Sequence, residues 1–400
     1  MKIFSIIFSK VIFTLLLARI QYTINWFNIS SIFYFIALDF NLNINTLGLI
    51  TTSFLIGVGL FQVPAGILVA KYGPKRLSII GILLSSTMAL ISGFSQDAIQ
   101  ITILRFIVGA GMAFFFGASV TLISNQLGKG NEGLGIGLLN SGHAIGALLG
   151  IFGWVALTEI IGWRLSIIIG GILGLAMVVI MRIGLLKEDN KKDFKIKSSE
   201  LKDVLLNKSL IILGITLLGY QTGASLTLTF IVLFLIEEIH INPIIAGLLG
   251  SLSLIIGIII SPISGKIYDK FKNAKIFLFS SAMLSALSIM LISTNSIVII
   301  TISLITSGIF LSIGFVVIYA RARESKNIIS EYDTLSVGYV NGISLFGSFW
   351  IPIIFSFTVS EFSYMTAWLS AGITIIILSL PILKLDSEKV EGNKKQLYKK

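Results

Sequence analysis

Two arginines, Arg19 and Arg105, stand inside long apolar stretches. On insertion scales a charge at mid-bilayer costs roughly 2.5–3.5 kcal/mol, so a residue of this kind must face a protein interior and have a task. Arg19 leads a polar face, because Tyr22, Thr23 and Trp26 follow at the spacing of one side of a helix. Asn25 and Asn28 are read as extending that face outward. A guanidinium so placed suits an anionic group, with two parallel bonds to a carboxylate or phosphate. The alternative is an arginine that snorkels to the near surface or ties helix-terminal carbonyls. Arg105 is a second candidate anion ligand. It could equally serve structure, bonding backbone carbonyls or an end-of-span acid such as Asp39 or Glu159. His143, one turn from Asn140, is the mid-span group that titrates near neutrality and so the candidate proton site. A neutral histidine making one interhelical hydrogen bond is the competing role. Asn140, Asn341 and Gln221, the last beside Tyr220, add neutral hydrogen-bonding groups that can hold a solute or merely tie helices. All 19 acids fall in turns, tails or the last turn of a stretch. Two fixed positive charges without a mid-span carboxylate favour anions and repel cations.

The elements that position these residues must be membrane helices. Hydrophobic residues make up 55% of the 400 and charged residues 12%, against about 25% charged in soluble domains. A crossing helix needs about 20 apolar residues. Runs of that kind predict twelve spans, near 11–38, 46–69, 77–96, 99–126, 134–158, 164–186, 209–236, 243–265, 275–294, 297–320, 333–358 and 363–383. The charge-free stretch from Ile276 to Ala320 is too long for one crossing and must turn back at Thr294-Asn295-Ser296. Of the 30 lysines and arginines, 27 fall in alternate turns and one in the opposite set. That asymmetry places both termini and the long middle segment in the cytoplasm of a multi-pass cell-membrane protein.

The expected fold is all-α, with twelve transmembrane helices in two six-helix bundles related by pseudo-two-fold symmetry. Residues 1–186 form the N-terminal bundle and 209–385 the C-terminal bundle. Residues 187–208 are a charged cytoplasmic linker with a short surface helix near Ser199–Leu206, and 386–400 a polar cytoplasmic tail. Two matches at nearly one offset support the duplication. Gly66-x₄-Lys71 recurs as Gly265-x₄-Lys270, and Gly137-x₂-Asn140-x₅-Gly146 recurs as Gly338-x₂-Asn341-x₅-Gly347.

Composition excludes several classes. The net charge of +11 borders the spans, where it meets anionic headgroups rather than nucleic acid. Without cysteine, disulfides and thiol-ligated metals are excluded. No phosphate-cradling Gly-x₄-Gly-Lys-Ser/Thr loop occurs, so ATP is not the direct energy source, and no cofactor or metal is implied.

The segment Pro64-Ala65-Gly66-Ile67-Leu68-Val69-Ala70-Lys71-Tyr72-Gly73-Pro74-Lys75-Arg76 resembles the signature loop of the major facilitator superfamily. Gly66 permits close helix contact, Gly73 turns the chain, and Lys71, Lys75 and Arg76 anchor it at the cytoplasmic surface. Ala70 stands where the family has an acid that latches the two halves. The latch is therefore expected at Asp269, in Gly265-x₃-Asp269-Lys270, capping the fifth span near Gly133. The alternative is a solvated loop acid. Arg105-x₃-Gly109-x-Gly111 and Gly162-Trp163-Arg164 are similar to further family motifs. The resemblance implies a monomeric secondary transporter that alternates access around a central site lined by the first span. The expected substrate is a small organic anion, carried with or without a proton in symport. A neutral or amphipathic solute exporter, with both arginines structural, is the alternative within transport. A polytopic membrane enzyme and a non-transporting sensor are the readings from other classes.

Overall fold

Apolar runs become helices here, and polar or glycine residues set their ends. The computed structural model describes residues 9–185, except 43 and 129, and 198–385, except 242, 295 and 326–331. The tail 386–400 and the linker's first half, 187–197, lie outside the described residues.

Helix α1 (Lys10–Ser31) opens on Ser9, whose hydroxyl accepts from the Ile12 amide. After a break at Ile32 the chain continues as a short helix, Phe33–Phe40. Then follow α2 (Ile44–Tyr72), α3 (Pro74–Ser92) and α4 (Ala98–Leu127), the last capped by the Asp97 carboxylate on the Gln100 amide. Gly73 takes φ 89°, a left-handed turn that a side chain would resist, and Pro74 starts α3 at once. Helix α5 (Glu132–Leu148) runs through a π-helical turn, Leu149–Gly153, into Trp154–Ile161. Beside that turn the Ser31 hydroxyl of α1 donates to the Gly150 carbonyl. Helix α6 (Trp163–Gly184) completes the first bundle. A linker helix spans Ser198–Leu205, one residue from the expected place. The second bundle holds α7 (Lys208–Glu237), α8 (Pro243–Phe271), α9 (Ala274–Leu291) and α10 (Ile297–Arg323). It closes with α11 (Asp333–Ser348, continued by Ile351–Glu361) and α12 (Tyr364–Ser379).

Among the described residues 11 helices are long and apolar enough to cross a membrane, by length and composition alone. Helix α1 is the remaining span; Arg19, Gln21, Asn25 and Asn28 make it less apolar than the others. Sequence and structure thus agree on where the spans fall, and no strand interrupts them among the described residues.

Within the first bundle α4 packs on α2 and α3, and α1 on α5 and α6. Within the second, α10 packs on α8 and α9, and α12 on α7 and α9. Two seams join the bundles, α2 against α11 and α5 against α8. At the second the Gly133 and Gly265 backbones touch, so a side chain on either would strike the other. At the first, a methyl on Gly66 would come within 2.5 Å of the Leu335 Cα.

Hydrogen bonds between bundles gather toward the end that carries Lys71, Arg76 and Lys270. The Thr121 and Thr334 hydroxyls lie 2.6 Å apart, and Arg323 Nη2 donates to Asn125 Oδ1 at 2.6 Å. The Ser141 hydroxyl donates to the Ile258 carbonyl at 2.6 Å. This basic end is closed.

Candidate functional site

Helix α1 sorts its polar residues onto two faces. Arg19 is 5% exposed, and its guanidinium carbon lies 4.8 Å from the centres of both the Tyr22 and Phe116 rings. Its Nε and Nη1 have no hydrogen-bond partner. A buried charge set between two ring faces with two nitrogens unpartnered is poorly compensated, since a cation–π contact contributes about 2 kcal/mol when desolvated and an ion outside water loses far more. Phe116 stands edge-on to Tyr319 of α10 at 4.9 Å, and the Tyr319 hydroxyl donates to Asn341 Oδ1 of α11 at 2.8 Å. Arg19, Tyr22, Phe116, Tyr319 and Asn341 therefore form one continuous group across the two bundles. Trp26 joins its rim, 5.9 Å from Tyr22 and edge-on to Phe54.

Asn25 does not extend this face. It lies six residues from Arg19, about 240° round the helix. Its Oδ1 instead accepts from Asn28 and Gln21, and the Gln21 amide reaches the Gly170 carbonyl of α6. Asn25 and Asn28 belong to a polar knot inside the first bundle. Their assignment to the solute face is corrected accordingly.

Arg105 is also displaced from the expected site. Its Nη1 and Nη2 donate to the Asn25 and Trp26 carbonyls at 3.0 Å each, and its carbon lies 4.3 Å from the Phe54 ring. Both terminal nitrogens are committed to the backbone of α1, which is the structural alternative set out above. Asp39 is engaged elsewhere, with Arg164 at 3.1 Å and the Trp163 indole at 3.1 Å.

His143 sits on α5 with Nδ1 2.9 Å from the Thr23 hydroxyl. That hydroxyl donates to the Arg19 carbonyl, so the imidazole N–H must be the donor between them. Asn140 Nδ2 is buried without a partner. Gln221 is partly buried on α7, whereas Tyr220 turns into the second bundle to meet the Leu278 carbonyl and the Ser281 hydroxyl.

At the basic end the Asp269 carboxylate accepts from the Gly133 and Leu134 amides, both at 2.9 Å. Those are free amides at the start of α5, where the helix dipole favours an anion. Lys272 joins the same cluster, 3.1 Å from Asp269, 3.6 Å from Glu132 across the seam, and closer still to Glu324. Burial alone would lower the Lys272 pKa; Glu324, then Asp269 and Glu132, outweigh it and hold it raised. Three acids so close could hold a metal ion, but the Lys272 ammonium already supplies the positive charge.

Lys272 and Glu324 were missed in the sequence, although a signal existed. The repeat offset that pairs Ala70 with Asp269 also pairs Gly73 with Lys272, which holds φ 51°. A lysine in left-handed backbone is uncommon and has a reason to be there. Phe116 was passed over among 28 phenylalanines, yet it lies three turns beyond Arg105 on the same face. The motif lysines and arginines lie apart from Arg19. Lys71, Arg76 and Lys270 are exposed, and Lys75 donates to the Leu185 carbonyl at the end of α6. Lys75, Arg76 and Arg182 line a surface groove of about 420 Å³, also away from the central group.

Twelve crossing helices in two bundles, joined by a polar-aromatic centre, define a transporter of small solutes. The sequence profile described as Major Facilitator Superfamily matches residues 15–328, and the chain belongs to that family. It is 24% identical over 336 residues to a nitrite extrusion protein of Bacillus subtilis, covering 82% of each chain. It is 26% identical to the 4-hydroxybenzoate transporter PcaK of Pseudomonas aeruginosa, over 36% of this chain and 32% of that one. Among solved structures, the proton:xylose symporter XylE superposes with a TM-score of 0.78 at 15% identity, covering 95% of this chain and 96% of that one.

Proposed function

We propose that the solute is a small organic anion and that Arg19 is its charge partner. One observation carries this reading: a buried guanidinium with two nitrogens unpartnered, at the junction of the bundles. A site of this kind is incomplete until an anion enters it. The nitrite and 4-hydroxybenzoate carried by the two relatives are consistent with that charge. Tyr22, Trp26, Asn140, His143, Gln221 and Asn341 are proposed to line the path, with His143 the candidate carrier of a coupled proton.

The charge asymmetry of the turns supports a cytoplasmic basic end in the cell membrane, with both termini on that side. The described state is then closed to the cytoplasm. Asp269 and Lys272 are the proposed latch, and the two six-helix bundles rock as units of a monomer. A neutral-solute exporter is the weaker reading, because a neutral solute offers no charge partner to the unpartnered nitrogens of Arg19.

The test is thermal stabilisation of the purified protein by small anions, with Arg19→Gln in parallel. At a hundred times its Kd a ligand adds about 2.7 kcal/mol of stability. Anions should raise the melting temperature of the native protein and leave Arg19→Gln unmoved. Equal stabilisation of both proteins would remove Arg19 from the site.

A further inference from the structure

Resting on the reading of Arg19 as the anion partner, we infer that the substrate is a monocarboxylate with an aromatic ring. Two features of the site support this, the number of free charges and the walls around them.

Arg19 and Arg105 are the charges within the spans, and Arg105 gives both terminal nitrogens to carbonyls of α1. While His143 is neutral, one cation is left for the solute. A dianion would bring a second charge with no partner into a low-dielectric site, which is disfavoured. The solute is therefore singly charged as it binds.

The walls are rings. Tyr22 and Phe116 present their faces to the guanidinium, Phe115 packs 5.2 Å from Tyr22, and Tyr319 stands edge-on to Phe116 from the other bundle. An aromatic face carries negative potential, which attracts Arg19 but repels a bare anion. A small inorganic anion would lose its water against surfaces that cannot replace it. A carboxylate on an aromatic ring avoids that conflict. Its charged end takes an unpartnered N–H of Arg19, and its ring packs on Phe116 and Tyr319 in stacked or edge-on contact. Because Arg19 and Phe116 belong to one bundle and Tyr319 to the other, such a molecule touches both halves at once. It thus has what alternating access needs, a contact that differs between states.

Calorimetric titration of the purified full-length protein tests this with benzoate, cyclohexanecarboxylate, phthalate and nitrate. Benzoate should bind about fivefold to tenfold tighter than cyclohexanecarboxylate, the ratio expected for one to two aromatic contacts. Phthalate and nitrate should bind at least about tenfold more weakly than benzoate. Phe116→Leu should bring the benzoate to cyclohexanecarboxylate ratio near one, and Phe116→Tyr should keep it; if the leucine variant fails to fold, the tyrosine variant and the native ratio decide. Equal binding of benzoate and cyclohexanecarboxylate, both lost in Arg19→Gln, overturns the aromatic class and leaves the anion site standing. Tighter binding of phthalate or nitrate overturns the single-charge aryl reading. Binding of none of the four, or binding untouched by Arg19→Gln, overturns the anion reading itself.

Discussion

Arg19 and Arg105 carry the same group at similar burial, yet their surroundings give them different work. Arg105 meets two main-chain carbonyls and holds α1 against α4. Arg19 lies between the Tyr22 and Phe116 rings with Nε and Nη1 unpartnered. Hydrogen bonds to a charged group contribute about 1.5–3 kcal/mol each. Arg105→Leu should therefore cost several kcal/mol of stability, seen as a lower melting temperature, while ligand affinity of the folded fraction changes little. Loss of affinity without loss of stability would return Arg105 to the solute site. The sequence could identify both arginines as buried but not tell them apart, because the carbonyls that receive Arg105 belong to another helix. Asn25 was misread for a simpler reason, its angle round α1. His143 was legible as a mid-span titratable group, but its bond to Thr23 arises only where α5 crosses α1.

At the scale of elements, the α5–α8 seam carries an ionic contact, while the α2–α11 seam sets Gly66 on Leu335 and the buried Gln62 against Gly338 and Gly342. Ala70 stands buried where the family carries an acid, so that position brings no charge to the second. Asp269→Asn should weaken the closed basic end, since the amide keeps one acceptor oxygen for the Gly133 and Leu134 amides and turns an NH2 donor toward the other. Labelling of a cysteine introduced between the bundles at that end should rise; unchanged labelling would leave Asp269 with no part in closure. Lys272→Gly separates two effects. It relieves left-handed backbone, worth about 1 kcal/mol, and it releases three acids. The variant should open more often at the basic end and melt lower than the native protein, because three ion pairs outweigh that relief. The raised Lys272 pKa fixes a pH dependence. A raised folded value means the stabilisation is full below the ordinary lysine pKa of 10.5 and is lost only as pH climbs through the shifted value. Closure should therefore be insensitive to Lys272 titration between about pH 6 and 9. The place of Asp269 was legible from the internal repeat. The other two acids around Lys272 were not, because Glu132 and Glu324 reach it from distant turns.

The whole molecule was the most legible scale. Charge counts in the turns and the lengths of the apolar runs predict where the spans fall, because a bilayer leaves a chain few ways to satisfy its backbone. The internal breaks escaped that reading. The turn at Ile32 and the π-helical turn in α5 answer to neighbours rather than to hydrophobicity. Transport should follow closure: reconstituted protein with Asp269→Asn should show an altered ratio of influx to efflux affinity for the same anion. An unchanged ratio would separate the latch from the transport cycle.

The unequal seams give the molecule a hinge side and a clasp side. A glycine edge against leucine, as at Gly66 and Leu335, can pivot without breaking an ion pair. Opening at Asp269 and Lys272 must part charges and admit water and counter-ions between them. Rocking is then lopsided, swinging like a door on one jamb. The salt concentration at the basic end, by screening the clasp and not the hinge, tunes how often the door comes ajar.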